Sequence, residues 1–331
     1  MSSPQRDKAR AYLRRNPTAT PYQIAAGSGC SARTARRVKA AMARCNGIGD
    51  DDAGVPLCDN VAALEHLFGF DRVGASHDPA GADIFPRKRD TVLFLYDIHL
   101  PYENADNIEM ALSYAESRHY PTHIVLGGDC VDFQKVSRFV SPSDAMELSD
   151  EIAYAVKWLE KLRARFTGCK ITYLVGNHEE RLQRFIRTRS PELDGLKGLN
   201  IKEQLELDRL NIHLVDNLKL KSETGQFFSI GKLTILHGHE LGICPSINPA
   251  RQYFLRAMDN MICGHVHKVN DHYDNTLRDE TKGAFVCGCL CDMHPSYKPQ
   301  NGWVAGFGLC SWDEDGMFSM KLKKIINGRV L

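Results

Sequence analysis

"TVLFLYDIHLPYENAD", residues 91–106, sets an apolar run, Val92 to Tyr96, directly against Asp97-x-His99. The run has the length and composition of a buried strand. Such a strand normally gives way to Gly, Asn or Pro at its turn. Here it gives way to a carboxylate and an imidazole. Four later apolar runs end in the same manner. Residues 122–127 lead into Gly127-Gly128-Asp129-Cys130-Val131-Asp132, and 170–175 into Gly176-Asn177-His178-Glu179. Residues 232–236 lead into His237-Gly238-His239, and 260–263 into Gly264-His265-Val266-His267.

Between these runs the periodicity predicts helices near 104–118, 146–166, 178–190 and 248–257. Further strands are expected at 226–230, 283–290, 304–312 and 317–323. Residues 191–225 read as a small helical insertion with a strand near 212–215. The front half is β-α-β-α-β and the back half is richer in strand. The fold class expected is α/β, a sandwich of paired sheets with helices outside. Ligands of an open α/β sheet bind beyond the carboxyl ends of its strands, the ends that carry the polar residues here.

Asp, His and Asn, with no Cys among them, are oxygen and nitrogen donors suited to Mn, Fe, Zn or Ni. Glycines beside the donors permit sharp turns. The blocks D-x-H, G-D-x-x-D, G-N-H-[DE], a His followed by Gly, and G-H-x-H occur in that order between residues 97 and 267. In this the chain resembles the calcineurin-like dinuclear metallophosphoesterases, over roughly residues 91–325. The resemblance implies two divalent ions, with Mn favoured. Asp97, His99 and His267 would hold the first, Asn177, His237 and His265 the second, and Asp129 would bridge them. His178 would be catalytic and face the leaving-group oxygen. Asp132 would stand behind the ligands, and His239, to which the family pattern gives no assured role, could stand there too. By the same resemblance, a metal-bridging hydroxide attacks phosphorus in line and His178 stabilises or protonates the leaving oxygen. Arg181 and Arg184, on the helix after the third block, could grip a substrate phosphate or form surface ion pairs with Glu180 or nearby acids.

The 331 residues carry a net charge of only +1, with 43% hydrophobic and 25% charged residues, an ordinary globular composition. The charge is unevenly placed. Residues 1–45 hold ten Lys/Arg against Asp7 alone, a net +9, and the remainder is −8. Within that basic segment 6–15 suits a short helix. Thr20 can cap a second helix with Pro21 at its first position and Ile24 and Ala25 facing inward. Gly27, Gly29 and Cys30 break it, and Ser31 caps a third. This segment resembles a DNA-binding helix-turn-helix, which points to Arg33, Thr34, Arg36 and Arg37 as nucleic-acid contacts. Residues 46–90, rich in Gly, Pro and Asp, read as a linker and lead-in arm. The expected domains are therefore 1–45, a linker over 46–90, and 91–331.

No apolar run is long enough for a membrane span, and the N-terminus lacks a secretory core. Eleven cysteines without small-scaffold spacing suggest reduced thiols and a cytoplasmic protein. Cys287, Cys289 and Cys291 alternate, which is expected to place them on one buried strand face rather than around zinc. The function expected is a metal-dependent phosphoesterase, a nuclease or phosphodiesterase acting on nucleic acid. Two readings stay open beside it: a phosphatase or phosphodiesterase of small nucleotides or phosphoproteins, and a non-catalytic DNA-binding regulator.

Overall fold

The computed structural model describes residues 8, 11, 12, 15, 16, 21–28, 90–139, 145–242, 247–295, 298–312 and 317–331. The chain divides into two compact units, Met1–His77 and Asp78–Leu331. In the first, a helix α1 spans Pro21–Ser28 and buries Ile24 completely. It starts at the proline that the sequence nominates. The proposed nucleic-acid contacts Arg33, Thr34, Arg36 and Arg37, and the linker up to residue 89, lie outside the described residues.

The second unit holds two sheets. Strands β1 (Thr91–Leu95), β2 (His123–Leu126), β3 (Lys170–Leu174) and β4 (Ile212–Val215) run parallel, in register Val92↔His123, Ile124↔Ile171 and Ile171↔Ile212. On the far side of β1 the sheet continues antiparallel with β10 (Gly306–Trp312), β11 (Phe318–Ile326) and β12 (Arg329–Val330). The second sheet has the order β5-β6-β7-β9-β8, formed by Ser229–Ile230, Leu233–Ile235, Met261–Cys263, Thr281–Val286 and Asn270–Asn275 respectively. Strands β6, β7 and β9 are parallel.

Alternation along β1 explains the layering. Leu93 and Leu95 pack with helices α2 (Ala105–His119) and α3 (Leu148–Arg165), through Ile108, Ala111, Leu112, Ala155, Leu159 and Leu162. Val92 and Phe94 point the other way, onto Ile230, Ile235, Ile262 and Phe285 of the second sheet. That sheet's outer face is covered by Tyr253 and Phe254 of α7 (Pro249–Ala257). The order of layers is helices, seven-stranded sheet, five-stranded sheet, helix. Helix α4 (Glu179–Arg189) follows β3, and two short helices, α5 (Ile201–Gln204) and α6 (Asn217–Thr224), occupy the region read as an insertion.

One strand expectation needs correction, and one strand was not expected at all. The strand expected at 283–290 ends at Val286, so Cys287, Cys289 and Cys291 do not share a strand face. All three are buried, but Cys287 joins the inter-sheet core, Cys289 faces Met293, and Cys291 faces His267. Strand β8, NDHYDN, has no apolar period because it is an edge strand with mostly exposed side chains. The seven described cysteines are free. Among the described residues no helix is long and apolar enough to cross a membrane.

Candidate metal centre

Parallel pairing puts the carboxyl ends of β1, β2 and β3 on one edge, and those of β6 and β7 on one edge of the facing sheet. The loops beyond them interlock. The backbone N–H groups of Asp97, His99 and Leu100 donate to the carbonyls of Gly128, Asp129 and Cys130 (3.2, 2.9 and 2.8 Å). Gly264 N–H donates to His237 O at 2.9 Å. Donors 170 positions apart in the chain are thereby brought into one cluster.

Each carboxylate in the cluster has one oxygen held by the backbone and one turned inward. Asp97 Oδ2 accepts from His265 N–H (2.8 Å), and Asp129 Oδ1 accepts from His178 N–H (2.8 Å). The inward Asp97 Oδ1 has no hydrogen-bond donor and lies 3.4 Å from His267 Nε2. The inward Asp129 Oδ2 lies 3.3 Å from His237 Nε2, 3.6 Å from His178 Nε2 and 4.0 Å from His99 Nε2. His99 Nε2 and His267 Nε2 face each other at 3.3 Å, and Asn177 Oδ1 is 3.2 Å from His237 Nε2. Rings are aimed from behind: His99 Nδ1 meets Asp132 Oδ1 at 2.9 Å, and His237 Nδ1 meets Gly127 O at 3.0 Å.

The backbone shows how tightly this arrangement is imposed. Asp97, His99, Asp129, His265 and His267 all have φ between 51° and 67°, the left-handed region. Residues other than glycine adopt it at a cost of order 1–3 kcal/mol, and such strain gathers at functional sites. Gly176 is required for another reason: a Cβ there would collide with the Asp129 side chain and backbone nitrogen.

Burial and charge act together on the titrating groups. Burial works against ionised Asp97, yet His267 and His237 outweigh it and lower its carboxyl pKa. Asp129 is likewise lowered, against burial, by His178 and His237. Burial would lower His237, but Asp129 and Asp97 hold it up to about 10, and Asp97 does the same for His267. His265 drops to about 4 through burial and the nearby charge of His237. A metal-free cluster therefore keeps carboxylates as anions and borrows protons on imidazole as counter-charge. A divalent cation is the natural replacement for those protons. The Asp97 oxygen without a hydrogen bond and the mainly O,N donor set fit such an ion. The atoms of Asp129, His237 and His265 converge as one potential ligand set, those of His99, Asp129 and His178 as another, and Cys291 Sγ converges with His99 and His267 as a third.

His178 is held on both ring nitrogens. Nδ1 is 2.9 Å from Asp132 Oδ1 and Nε2 is 2.7 Å from Arg181 Nη2. Burial would lower its pKa, but Asp129 and Asp132 outweigh that and raise it. One oxygen of Asp132 thus serves both His99 and His178. His239 stands farther out, with Nε2 3.2 Å from Glu180 Oε1. Arg181 donates to Asp132 O at 2.8 Å, and Arg184 pairs with Glu180 at 3.3 Å.

Three residues carry roles that the motif blocks do not disclose. The buried Glu179 carboxylate accepts from the N–H groups of Asp129, Cys130, Val131 and Gly176 and from the Tyr173 hydroxyl (2.7–3.1 Å). It locks the loop after β2 to the loop after β3. Glu240 does similar work by accepting from His237 N–H and Gly238 N–H (3.0 and 2.6 Å). Cys291 Sγ lies 3.9 Å from His267 Nδ1. For the two acids the available signal was a carboxylate within three residues of a motif glycine.

No family model and no curated protein matches the chain. Among solved structures, a point mutant of Vps29 from Entamoeba histolytica aligns over 73% of this chain and 96% of its own, at 14% identity and a TM-score of 0.37. A likeness that weak carries neither a fold nor a function.

Proposed function

We propose that the chain is a metal-dependent phosphoesterase working at this cluster. The observation that carries the reading is the position of Asp129 Oδ2, in reach of imidazole nitrogens from both sheets, beside an Asp97 oxygen that no donor satisfies. In this reading Asp97, His99 and His267 would hold one cation and Asn177, His237 and His265 a second, with Asp129 shared between them. When bound, such cations supply positive charge to phosphoryl oxygens and a nucleophilic water at neutral pH.

The remaining work belongs to the chain. Asp132 orients His99 and His178 through their Nδ1 atoms. The His178 Nε2 edge faces the cluster, where it hydrogen-bonds or protonates a leaving-group oxygen once Arg181 shifts to the substrate. Burial of the donors keeps water from screening these charges.

The finer reading is hydrolysis of nucleic-acid phosphodiesters, with Mn as the working ion and the basic N-terminal segment as an anchor. Its support is the +9 charge of residues 1–45. Chelator-treated protein, resupplied with Mn, should cleave an aryl phosphodiester and single- or double-stranded DNA or RNA. His178→Ala should lower turnover by about 100-fold or more. Replacing Arg33, Arg36 and Arg37 together with Ala should weaken nucleic-acid turnover alone. Metal binding with no hydrolysis of any phosphoester, and an unaltered His178→Ala variant, would leave a non-catalytic regulator as the surviving reading.

A further inference from the structure

A cavity of about 480 Å³ opens next to the donor cluster and shares Asn177 with it. Its lining also includes Arg138, Phe139, Arg181, Arg184 and His239. Three guanidinium groups face a single carboxylate, Glu180, which is already engaged by His239 at 3.2 Å and Arg184 at 3.3 Å. The wall is therefore net positive with its one acid neutralised.

The three arginines are not equivalent. Arg181 is mostly buried and tied to Asp132 and His178. Arg184 is half exposed. Arg138 is exposed, has no carboxylate partner among the described residues, and lies over the Phe139 ring with its guanidinium carbon 5.1 Å from the ring centroid. Phe139 itself is 65% exposed, an uncommon placement for a phenyl ring. An anion-binding wall beside an exposed aromatic ring is the pairing that single-stranded nucleic acids use: phosphate on arginine and base on ring. The volume is within the range of pockets that take a small organic ligand, enough for one nucleotide unit.

We propose that this cavity is a subsite for the nucleotide flanking the scissile phosphodiester, with its phosphate on Arg138 and Arg184 and its base against Phe139. The inference rests on the phosphoesterase reading of the adjoining cluster. It makes the preferred substrate a phosphodiester whose neighbouring unit carries a further phosphate and a base, as in a polynucleotide strand, rather than a simple ester. Phosphate alone and base plus phosphate are separable contributions, because the arginines and the ring can be removed independently.

The test uses the full chain and the Arg138→Ala/Arg184→Ala and Phe139→Ala variants, all at exposed positions. The substrates are a 5′-phosphorylated thymidine dinucleotide and bis(p-nitrophenyl) phosphate. The ratio of kcat/KM for the first over the second should fall at least about tenfold in the arginine variant, from loss of charge-assisted hydrogen bonds. It should fall about fivefold in Phe139→Ala and be restored by Phe139→Trp. An unchanged ratio in both variants overturns the proposal. A second readout needs no turnover: calorimetric binding of the same dinucleotide to chelator-treated protein. If the cluster proves inactive on both substrates, weakened dinucleotide binding in the variants sustains the subsite while the phosphoesterase reading fails. Equal binding in wild type and variants refutes the subsite.

Discussion

Two carboxylates buried in the same unit behave in opposite ways. Glu179 receives five hydrogen bonds, from four backbone N–H groups and the Tyr173 hydroxyl, and its charge is spent within the protein. Asp97, fully buried, has one oxygen bonded to His265 N–H, while the other has no hydrogen bond and faces His267 and His237 Nε2 at 3.4 and 4.0 Å. A protein core tolerates the first because every lone pair finds a donor. The second is expensive unless positive charge faces it, which protonated imidazole supplies in the metal-free cluster and a cation would supply in its place. The difference separates the frame of the site from its working surface, and it does so without reference to any relative.

The largest expected effect strikes the frame. Glu179→Ala would strand four N–H groups and a hydroxyl in the core, and should destabilise the fold by about 3–5 kcal/mol. Urea denaturation would record it, together with loss of metal binding as the β2 and β3 loops part. Asp97→Asn should do the reverse. It keeps an acceptor for His265 N–H but removes the counter-charge of His267 and His237, which can release their protons, so the metal-free stability should fall by less than in Glu179→Ala. Metal affinity should fall by more than the roughly 10–100-fold that outer partners of a ligand cost. Similar destabilisation by the two substitutions would erase the distinction.

A pH series sharpens the same contrast. An unfolded histidine titrates near about 6.5, whereas Asp129 and Asp97 hold His237 up to about 10 in the folded metal-free chain. The raised pKa means that this stabilisation is complete below pH ~6.5, declines above it and is gone once the pH passes about 10. Metal binding must displace the same protons, so apparent affinity should climb with pH over that window. Calorimetry in buffers of different ionisation enthalpy should register proton release. The smallest effect belongs to a network at the surface of the helices. Arg165 bridges Glu109 and Glu116 at 2.7 Å each, but Glu109 is 62% exposed. Arg165→Ala should cost no more than about 1 kcal/mol and leave metal affinity untouched.

Much of this was legible in the sequence for a local reason. Apolar runs announce the buried strands β1, β2, β3, β6 and β7, and the Asp, Asn and His that follow each run can be read directly. That those ends meet could be expected from an α/β arrangement, and the parallel registers of both sheets supply the geometry. Three things were not legible. Strand β8 has no hydrophobic period because its edge position asks for none. Glu179 stands in the G-N-H-[DE] block and Glu240 two residues after Gly238, but the backbone amides that give them their roles come from loops distant in sequence or from the turn itself. Cys291 appeared to continue a strand, but β9 stops at Val286, and the chain beyond it turns the thiol toward His267. The left-handed backbone of Asp97, His99, Asp129, His265 and His267 is equally invisible from residue type, because none of them is glycine.

The central claim is that these donors exist to enclose cations around one shared oxygen. Anomalous diffraction from crystals soaked in Mn tests it most directly. The account predicts two peaks flanking Asp129 Oδ2, one toward Asp97, His99 and His267 and the other toward Asn177, His237 and His265. A cluster without anomalous density under saturating Mn, or density only at surface carboxylates, would contradict it.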